Sequence, residues 1–413
     1  MRILKKFVCC FMIFIITIGA SLVFSNQRVT ATTKTTTSVT YVTIRDFIQK
    51  LVTAMKLDVD QNITEPYITA ALDEGILKTD DFSDFDAKIT RTDCAVLLNR
   101  VDESLHGETL EESYIQRILD RRISDIKKID KIKQEAVAKI YGKGIIRGYS
   151  KGVGVQSREF RGEQYITNST AKNFINLTLN PSKRSKLSPD GQLIRTTNLP
   201  KNADKFDYIL ECFPNEFYEK PFEMETGTLT GYWVEGENID YPVNMKYQTF
   251  KNWYTSYEMK EQMDLYLYDI ADYVEQYVKL IFNINYKTLD KDWCNDVKAV
   301  SYNPSKMDQY LENYILHAKY YKSVVETRKV AVEPSTFYEF GGEYIRVYVE
   351  YKVTAKELVK DGREYIFANK FYDPNLKIGK WMTGYFDITL VPIDGTNGDM
   401  STLRPSLSVY TIQ

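Results

Sequence analysis

Three stretches between residues 41 and 180 carry apolar side chains at helical spacing behind a threonine. Counting from Thr43, Thr90 and Thr167, apolar residues fall at plus four and plus eight: Phe47 and Leu51, Cys94 and Leu98, Ala171 and Ile175. Positions four apart share one helix face, so each stretch predicts a short helix with one buried stripe. Polar residues mark where each helix starts. Asp46 follows Thr43 by three residues, and Asp93 follows Thr90 likewise. In such a capping box the hydroxyl accepts from a first-turn amide and the carboxylate reaches back to the threonine amide. The third copy, Thr167-Asn168-Ser169-Thr170, keeps the threonine and lacks the acid.

Two further helices are punctuated by glycine. One opens at Pro66 and ends at Gly75, and the other runs through Ala136–Ile140 to Gly144. Aligned on those glycines, Ile68 matches Val137, Ala71 matches Ile140, and Ile76 matches Ile145. Proline at a helix start and glycine just past its end are the expected signals. No such unit can bury its stripe alone, so the units are expected to pack on one another over residues 41–180.

The pattern changes after residue 180. Residues 181–191 are turn-rich and basic, as a boundary would be, and 181–260 as a whole reads as a linker or irregular segment. From 261 onward the periodicity returns. Tyr266, Ile270, Tyr273, Val274, Tyr277, Val278 and Ile281 form one helical stripe. Ser305, with Asp308 behind it, is the expected cap of a second helix burying Leu311, Tyr314, Ile315 and Ala318. Strands follow. In 344–354 the set Ile345, Val347, Val349, Tyr351 and Val353 faces one way and Arg346, Glu350 and Lys352 the other. Trp381–Val391 alternates again through Met382, Phe386, Ile388 and Leu390, with hairpin turns expected at Gly341-Gly342 and Asp361-Gly362. Residues 261–413 therefore predict an α+β domain with helices on one face of an antiparallel sheet, and an NTF2-like cone is one candidate on element order alone.

At the other end of the chain, Arg2, Lys5 and Lys6 precede an apolar run from Phe7 to Val23. Residues 1–25 match a secretory signal, with an uncleaved anchor as the alternative, and residues 26–40 read as a flexible leader. The membrane is then met only in passing, through the signal. Net charge is −2, which gives no footprint for nucleic acid. The chain has 31 Tyr and only 2 His. Cys94 lies on an apolar helix face, while Cys212 and Cys294 could pair in an exported protein or remain free.

The segment Gly144-Ile145-Ile146-Arg147-Gly148-Tyr149, followed by Phe160 and the capped helix at Thr167, resembles the S-layer homology (SLH) domain. So does Ile89-Thr90-Arg91-Thr92-Asp93 followed by Ala95-Val96-Leu97-Leu98. The resemblance spans 41–180 and implies a multidomain chain: a degenerate three-repeat helical spindle, then the α+β domain. It implies an extracellular protein of a Gram-positive cell wall or S-layer, held on secondary cell-wall polysaccharide, often through pyruvylated sugars. The family signature is Thr-Arg-Ala-Glu at the capped helix. Only Thr90-Arg91-Thr92-Asp93 approaches it, because the first copy has Ile44 in the arginine position, with Arg45 adjacent, and the third has Asn168. One or two working sites are therefore expected.

Candidate polysaccharide-binding residues are Thr90, Arg91, Asp93, Arg45 and Tyr149. A pyruvyl ketal fixes a carboxylate on a sugar, and arginine can hold a carboxylate through two parallel charge-assisted bonds at a helix N-terminus. Arg91 could equally pair with a nearby acid on a solvated face. Tyr149 could stack on a sugar or simply pack. No cofactor or metal site is expected, since clustered Cys/His ligands and a phosphate loop are both missing from the sequence. A Cys294–His317 pair is conceivable as catalytic machinery, but Asp292 and Asp296 would raise the thiol pKa, and His317 reads as packing. The C-terminal domain is expected to bind or to be structural rather than catalytic; a wall glycan or peptide hydrolase, or a small-ligand module, is the alternative.

Overall fold

The computed structural model describes residues 39–223, 257–340, 342–357, 365–393 and 400–412, and the backbone of short strands between 226 and 249. The signal, nearly all of the leader and the Asp361-Gly362 turn lie outside the described residues.

All three capped helices are present: α1 (Ile44–Met55), α3 (Arg91–His106) and α6 (Asn168–Leu179), with α2 (Pro66–Asp73) between the first two. Their cap hydroxyls accept as expected, Thr43 from Asp46 N at 3.1 Å, Thr90 from Asp93 N at 3.1 Å, and Thr167 from Thr170 N at 3.3 Å. The carboxylate half of the box differs. Asp93 accepts from the Thr90 hydroxyl at 2.6 Å. Val42 N donates to Ile166 O and Ile89 N to Val42 O, both at 3.0 Å, and Arg91 N to Gln164 O at 2.9 Å. Bridges Tyr41↔Thr167, Thr43↔Lys88 and Thr90↔Tyr165 thus close the three lead-in segments into a ring. Val42, Ile89 and Ile166, each one residue before its capping threonine, are all buried, as are the six plus-four and plus-eight residues. This is the pseudo-threefold core of a helical spindle.

Two segments complete the helical region. Helix α4 (Glu112–Arg117) runs into a π-helical turn at Ile118–Arg122, and α5 (Lys131–Gly142) precedes the Gly144 turn. A hairpin of β1 (Tyr149–Ser150) and β2 (Arg158–Glu159) returns the chain toward α6.

Residues 203–222 fall inside the stretch that the sequence presents as a linker, and they are packed rather than extended. With α7 (Asn215–Glu219), they bury Phe206, Leu210, Phe213, Phe217, Tyr218 and Phe222 against Tyr338, Tyr344, Tyr348 and Tyr385 of the sheet. Ring-on-ring packing needs no helical or alternating period, so no periodic signal announces it. Farther on, β3 (Thr226–Leu229) pairs with β6 (Val243–Lys246), and β4 (Tyr232–Val234) with β5 (Glu237–Ile239).

The C-terminal part is α+β. Helix α8 (Tyr257–Ile281), α9 (Lys291–Val300) and α10 (Met307–Tyr321) pack on one face of an antiparallel half-barrel sheet. Its long strands run in the order β9 (Val324–Val332), β11 (Glu343–Thr354), β12 (Trp381–Pro392), β13 (Leu403–Ile412). Short strands β7 (Gln248–Thr249), β8 (Ile284–Asn285) and β10 (Tyr338–Glu339) extend it. Strand β10 pairs antiparallel with β11, Phe340 N donating to Gly342 O at 2.9 Å, and Gly341 lies outside the described residues. The predicted Ser305 cap is absent: α10 starts at Met307 with no side-chain cap, and Asp308 instead holds Lys298 at 2.7 Å. Helix α9 carries the cap, Asp290 accepting from Asp292 N and Trp293 N.

Alternation in β11 is as read for the inner face, where Ile345, Val347, Val349, Tyr351 and Val353 are fully buried. The polar face is only partly open. Arg346 is fully buried under residues 203–222, Glu350 is nearly so among Arg328, Lys329 and Tyr348, and Lys352 is half-buried. The helical and α+β parts touch directly: Arg121 Nη1 reaches Asp272 of α8 at 2.7 Å, and Gln156 Nε2 donates to Val332 O of β9 at 2.8 Å.

Candidate functional site

Arg91 is the first residue of α3, and its side chain turns inward beneath the β1–β2 hairpin. Only 5% of it is exposed. Nε donates to Phe160 O at 2.8 Å and Nη2 to Arg147 O at 3.0 Å. The guanidinium lies over the rings of Tyr149, Phe160 and Phe174, 5.0, 5.1 and 5.6 Å from their centroids. Burial lowers its pKa, with Tyr149, Cys94 and Asp125 opposing the shift. A guanidinium nevertheless stays charged at any physiological pH. Neither of the two expected environments is found: Arg91 does not pair with an acid on a solvated face, and it does not stand free at the helix end. It is a buried cation that fixes the Gly144–Tyr149 loop and helps to line a pocket.

That pocket has a volume of about 480 Å³ and is lined by residues from four segments. Arg91 supplies the floor, Arg147, Tyr149 and Arg158 the hairpin side, Thr170, Asn173 and Phe174 the α6 side, and Lys183 and Ser185 the turn beyond α6. Its shape depends on a glycine: Gly144 has φ +70° and a Cβ there would sit 2.2 Å from Ser185 O. Ser185 N closes the same contact by donating to Gly144 O at 3.0 Å. Four cations line the pocket and no carboxylate does. Arg147 is exposed and has no ion pair among the described residues. Arg158 is tied by Nε to Gly148 O at 2.8 Å, with Glu211 3.4 Å from Nη1.

The five residues expected to bind glycan fall into three places. Arg91 and Tyr149 are brought together in the pocket. Thr90 and Asp93 stand behind it as the α3 cap, with Asp93 also holding Lys133 at 2.9 Å. Arg45 is elsewhere, clamped between Glu65 and Asp86, the latter at 2.8 Å. Those two carboxylates raise its pKa and neutralise it. Ile44, which occupies the position of Arg91 in the first copy, is buried core. Tyr149 has two guanidiniums over its ring, Arg91 at 5.0 Å and Arg161 at 4.2 Å from the centroid.

Residues 122–167 match the S-layer homology domain. They are an S-layer homology domain. The match begins at Arg122 in the π-helical turn, takes in α5, the Gly144–Tyr149 loop and the β1–β2 hairpin, and ends on the capping Thr167. It covers the last of the three units that the resemblance spans. No curated protein matches the chain. An S-layer homology domain implies non-covalent anchoring to the cell wall and hence a place at the cell surface. Arg147 sits inside the signature loop of that domain and carries the one signal that could have marked it in advance. Arg158 and Lys183 have no local signature; the fold alone brings them to the pocket.

In the C-terminal part the thiol chemistry does not assemble. Cys94, Cys212 and Cys294 are all free. Burial pushes the Cys294 thiol up, the opposite of what a nucleophile needs. Among the described residues no cluster of three or more His, Cys, Asp or Glu could hold a metal, and no helix is long and apolar enough to cross a membrane.

Proposed function

We propose that this protein is held on secondary cell-wall polysaccharide through the pocket between α3, α6 and the S-layer homology domain. The ligand would be an anionic sugar, a pyruvylated one fitting best. The observation that carries this reading is the charge of the lining: four cations and no carboxylate around a cavity of about 480 Å³. Arg147 is the group placed to take the ligand carboxylate. Of the two exposed lining cations with no ion pair among the described residues, Arg147 and Lys183, it is the one with a planar two-pronged guanidinium, while Lys183 reaches Asn176 Oδ1 at 3.4 Å. Arg91 positions the Arg147 carbonyl and adds charge from below. An Arg–carboxylate contact of this kind is short and two-pronged, which suits a ketal whose carboxylate is fixed on the ring.

One such site per chain follows from the other two copies. Ile44 is buried and Arg45 neutralised in the first, and Asn168 stands at the equivalent position in the third. The protein is then an exported surface protein, and residues 261–413 form the displayed part, with a binding or structural role. Cell fractionation tests the anchoring: the chain should sediment with walls and be released by denaturant without cleavage of any bond. Recovery mainly from medium or cytosol would overturn it. Incubating purified protein with wall glycan and wall peptide, and watching for new reducing ends or free amines, separates display from hydrolysis.

A further inference from the structure

A second pocket, of about 440 Å³, lies on the C-terminal sheet beside the first residues of β12. Its aromatic wall is Trp381, 39% exposed. The Lys352 ammonium and the Arg328 guanidinium stand 5.1 and 4.8 Å from the indole centroid. Lys352 is on β11, directly opposite Trp381 in register, and Arg328 is on β9 beyond it, so both approach from the same side in strand order. The pocket is lined by residues of the 373–380 segment, by the first residues of β12 and by Thr411 and Ile412 of β13, the strand on the side of β12 away from β11. Cations against an indole hold the ring in place. The wall is therefore a fixed aromatic surface.

Lys377 and Lys380 also line this pocket, are exposed, and pair with no carboxylate among the described residues. The two acids of the lining are engaged. Asp373 accepts from the Tyr351 hydroxyl at 2.7 Å and the Asn375 amide at 2.9 Å, while Glu216 has Lys220 at 3.6 Å and a hydrogen bond with Tyr385. Asn375, Thr383 and Thr411 complete the lining with neutral donors and acceptors.

We propose that this pocket is a second glycan site, taking an anionic sugar independently of the Arg91–Arg147 pocket. The indole covers the apolar face of the ring, Lys377 and Lys380 meet its negative group, and Asn375, Thr383 and Thr411 meet hydroxyls. A bare anion would have no use for the indole, and a neutral sugar none for two unpaired ammonium groups. The negative group is a ring-borne carboxylate or a phosphodiester. Two weak sites within one unit raise the effective concentration of a polymer and tighten its hold without any new contact.

The test uses the full chain carrying Arg147→Ala, so that binding at the first pocket is weakened. It is titrated calorimetrically with a pyruvylated disaccharide, a glycerol-phosphate oligomer and a neutral N-acetylated disaccharide. At least one charged probe should bind and the neutral one should not; which charged probe binds identifies the source of the negative group. Adding Lys377→Glu and Lys380→Glu should weaken that binding about tenfold or more, and adding Trp381→Ala instead should weaken it about fivefold, with unchanged melting temperatures. Failure of both charged probes to bind overturns the second site. So does binding that survives these substitutions, or equal binding of the neutral probe. An Arg147→Ala chain that binds wall polysaccharide like the unaltered chain counts instead against the first pocket, so the two failures are distinct.

Discussion

Arg346 and Asp387 stand opposite one another on β11 and β12, both fully buried, with Arg346 Nε 2.7 Å and Nη2 3.0 Å from the carboxylate oxygens. The same guanidinium takes the carbonyls of Phe217, Lys220 and Pro221 at 3.1, 2.8 and 2.7 Å. One ion pair therefore fastens the 203–222 segment over the sheet. Asp387→Asn should leave that cation buried without a counter-charge and cost about 3–5 kcal/mol in denaturant unfolding. A cost below about 1 kcal/mol would mean that the segment is not fastened there.

Two buried glutamates should give opposite pH slopes. Burial holds Glu333 well above its ordinary value of 4.5, Ser335 opposing and Asp190 adding to the rise, and its Oε1 has no partner among the described residues. As pH climbs above 4.5 the unfolded chain ionises while the folded one resists, so this group subtracts stability at neutral pH. Glu333→Gln should be more stable than the unaltered chain at pH 7, the gap closing as pH falls toward 4.5.

Glu350 behaves in reverse. Burial pushes it up, but hydrogen bonds from Lys329, Tyr348 and Arg328 outweigh that and bring it down to about 2. Its contribution is present above 4.5 and is lost as pH falls toward 2. Glu350→Gln should be less stable at pH 7, with the difference shrinking through that window. Unfolding midpoints across a pH series read both glutamates, and slopes of the same sign would contradict this assignment.

Gly154 couples the S-layer homology domain to the sheet. It has φ +68°, its N donates to Cys212 O at 2.8 Å, and a Cβ would fall 2.3 Å from the Tyr348 ring. Gly154→Ala should destabilise by about 2–4 kcal/mol, from the left-handed backbone together with the clash. Tyr348→Ala in the same chain should return none of the backbone term. A melting temperature unchanged by Gly154→Ala would show that the two parts do not meet there.

Thr90 and Arg45 separate fold from binding. Thr90→Ala should cost about 1 kcal/mol of stability and leave wall binding per folded molecule unchanged. Arg45→Ala should leave binding unchanged as well, since Glu65 and Asp86 already neutralise that side chain. Reduced binding by folded Arg45→Ala would place a second site in the first copy.

The helical region was legible because its signals are local. A threonine cap, a stripe at plus four and plus eight, and a glycine past a helix end each act within a few residues, and all three capped helices follow from them. Ring closure by Val42, Ile89 and Ile166 was only implicit in the register of the copies. What escaped depends on long-range packing. The cover at 203–222 is aromatic without period, and the alternation that puts Arg346 on the second face of its strand says nothing of what covers that face. The pocket shows the same division. Arg91 and Tyr149 lie in or beside recognisable motifs, whereas Arg158 and Lys183 reach the site only through the hairpin and the turn beyond α6.

The account rests most directly on Arg147, and one binding measurement tests it. Purified chain is titrated onto isolated wall polysaccharide before and after chemical removal of pyruvyl groups. The unaltered chain should bind the native polymer and lose affinity for the stripped one. Arg147→Ala should lose about 1.5–3 kcal/mol on the native polymer, and Arg147→Lys should recover only part of that, since an ammonium cannot make the planar two-point contact. Equal binding of native and stripped polymer, together with unaltered binding by folded Arg147→Ala, would contradict the account and place the wall contact outside this pocket.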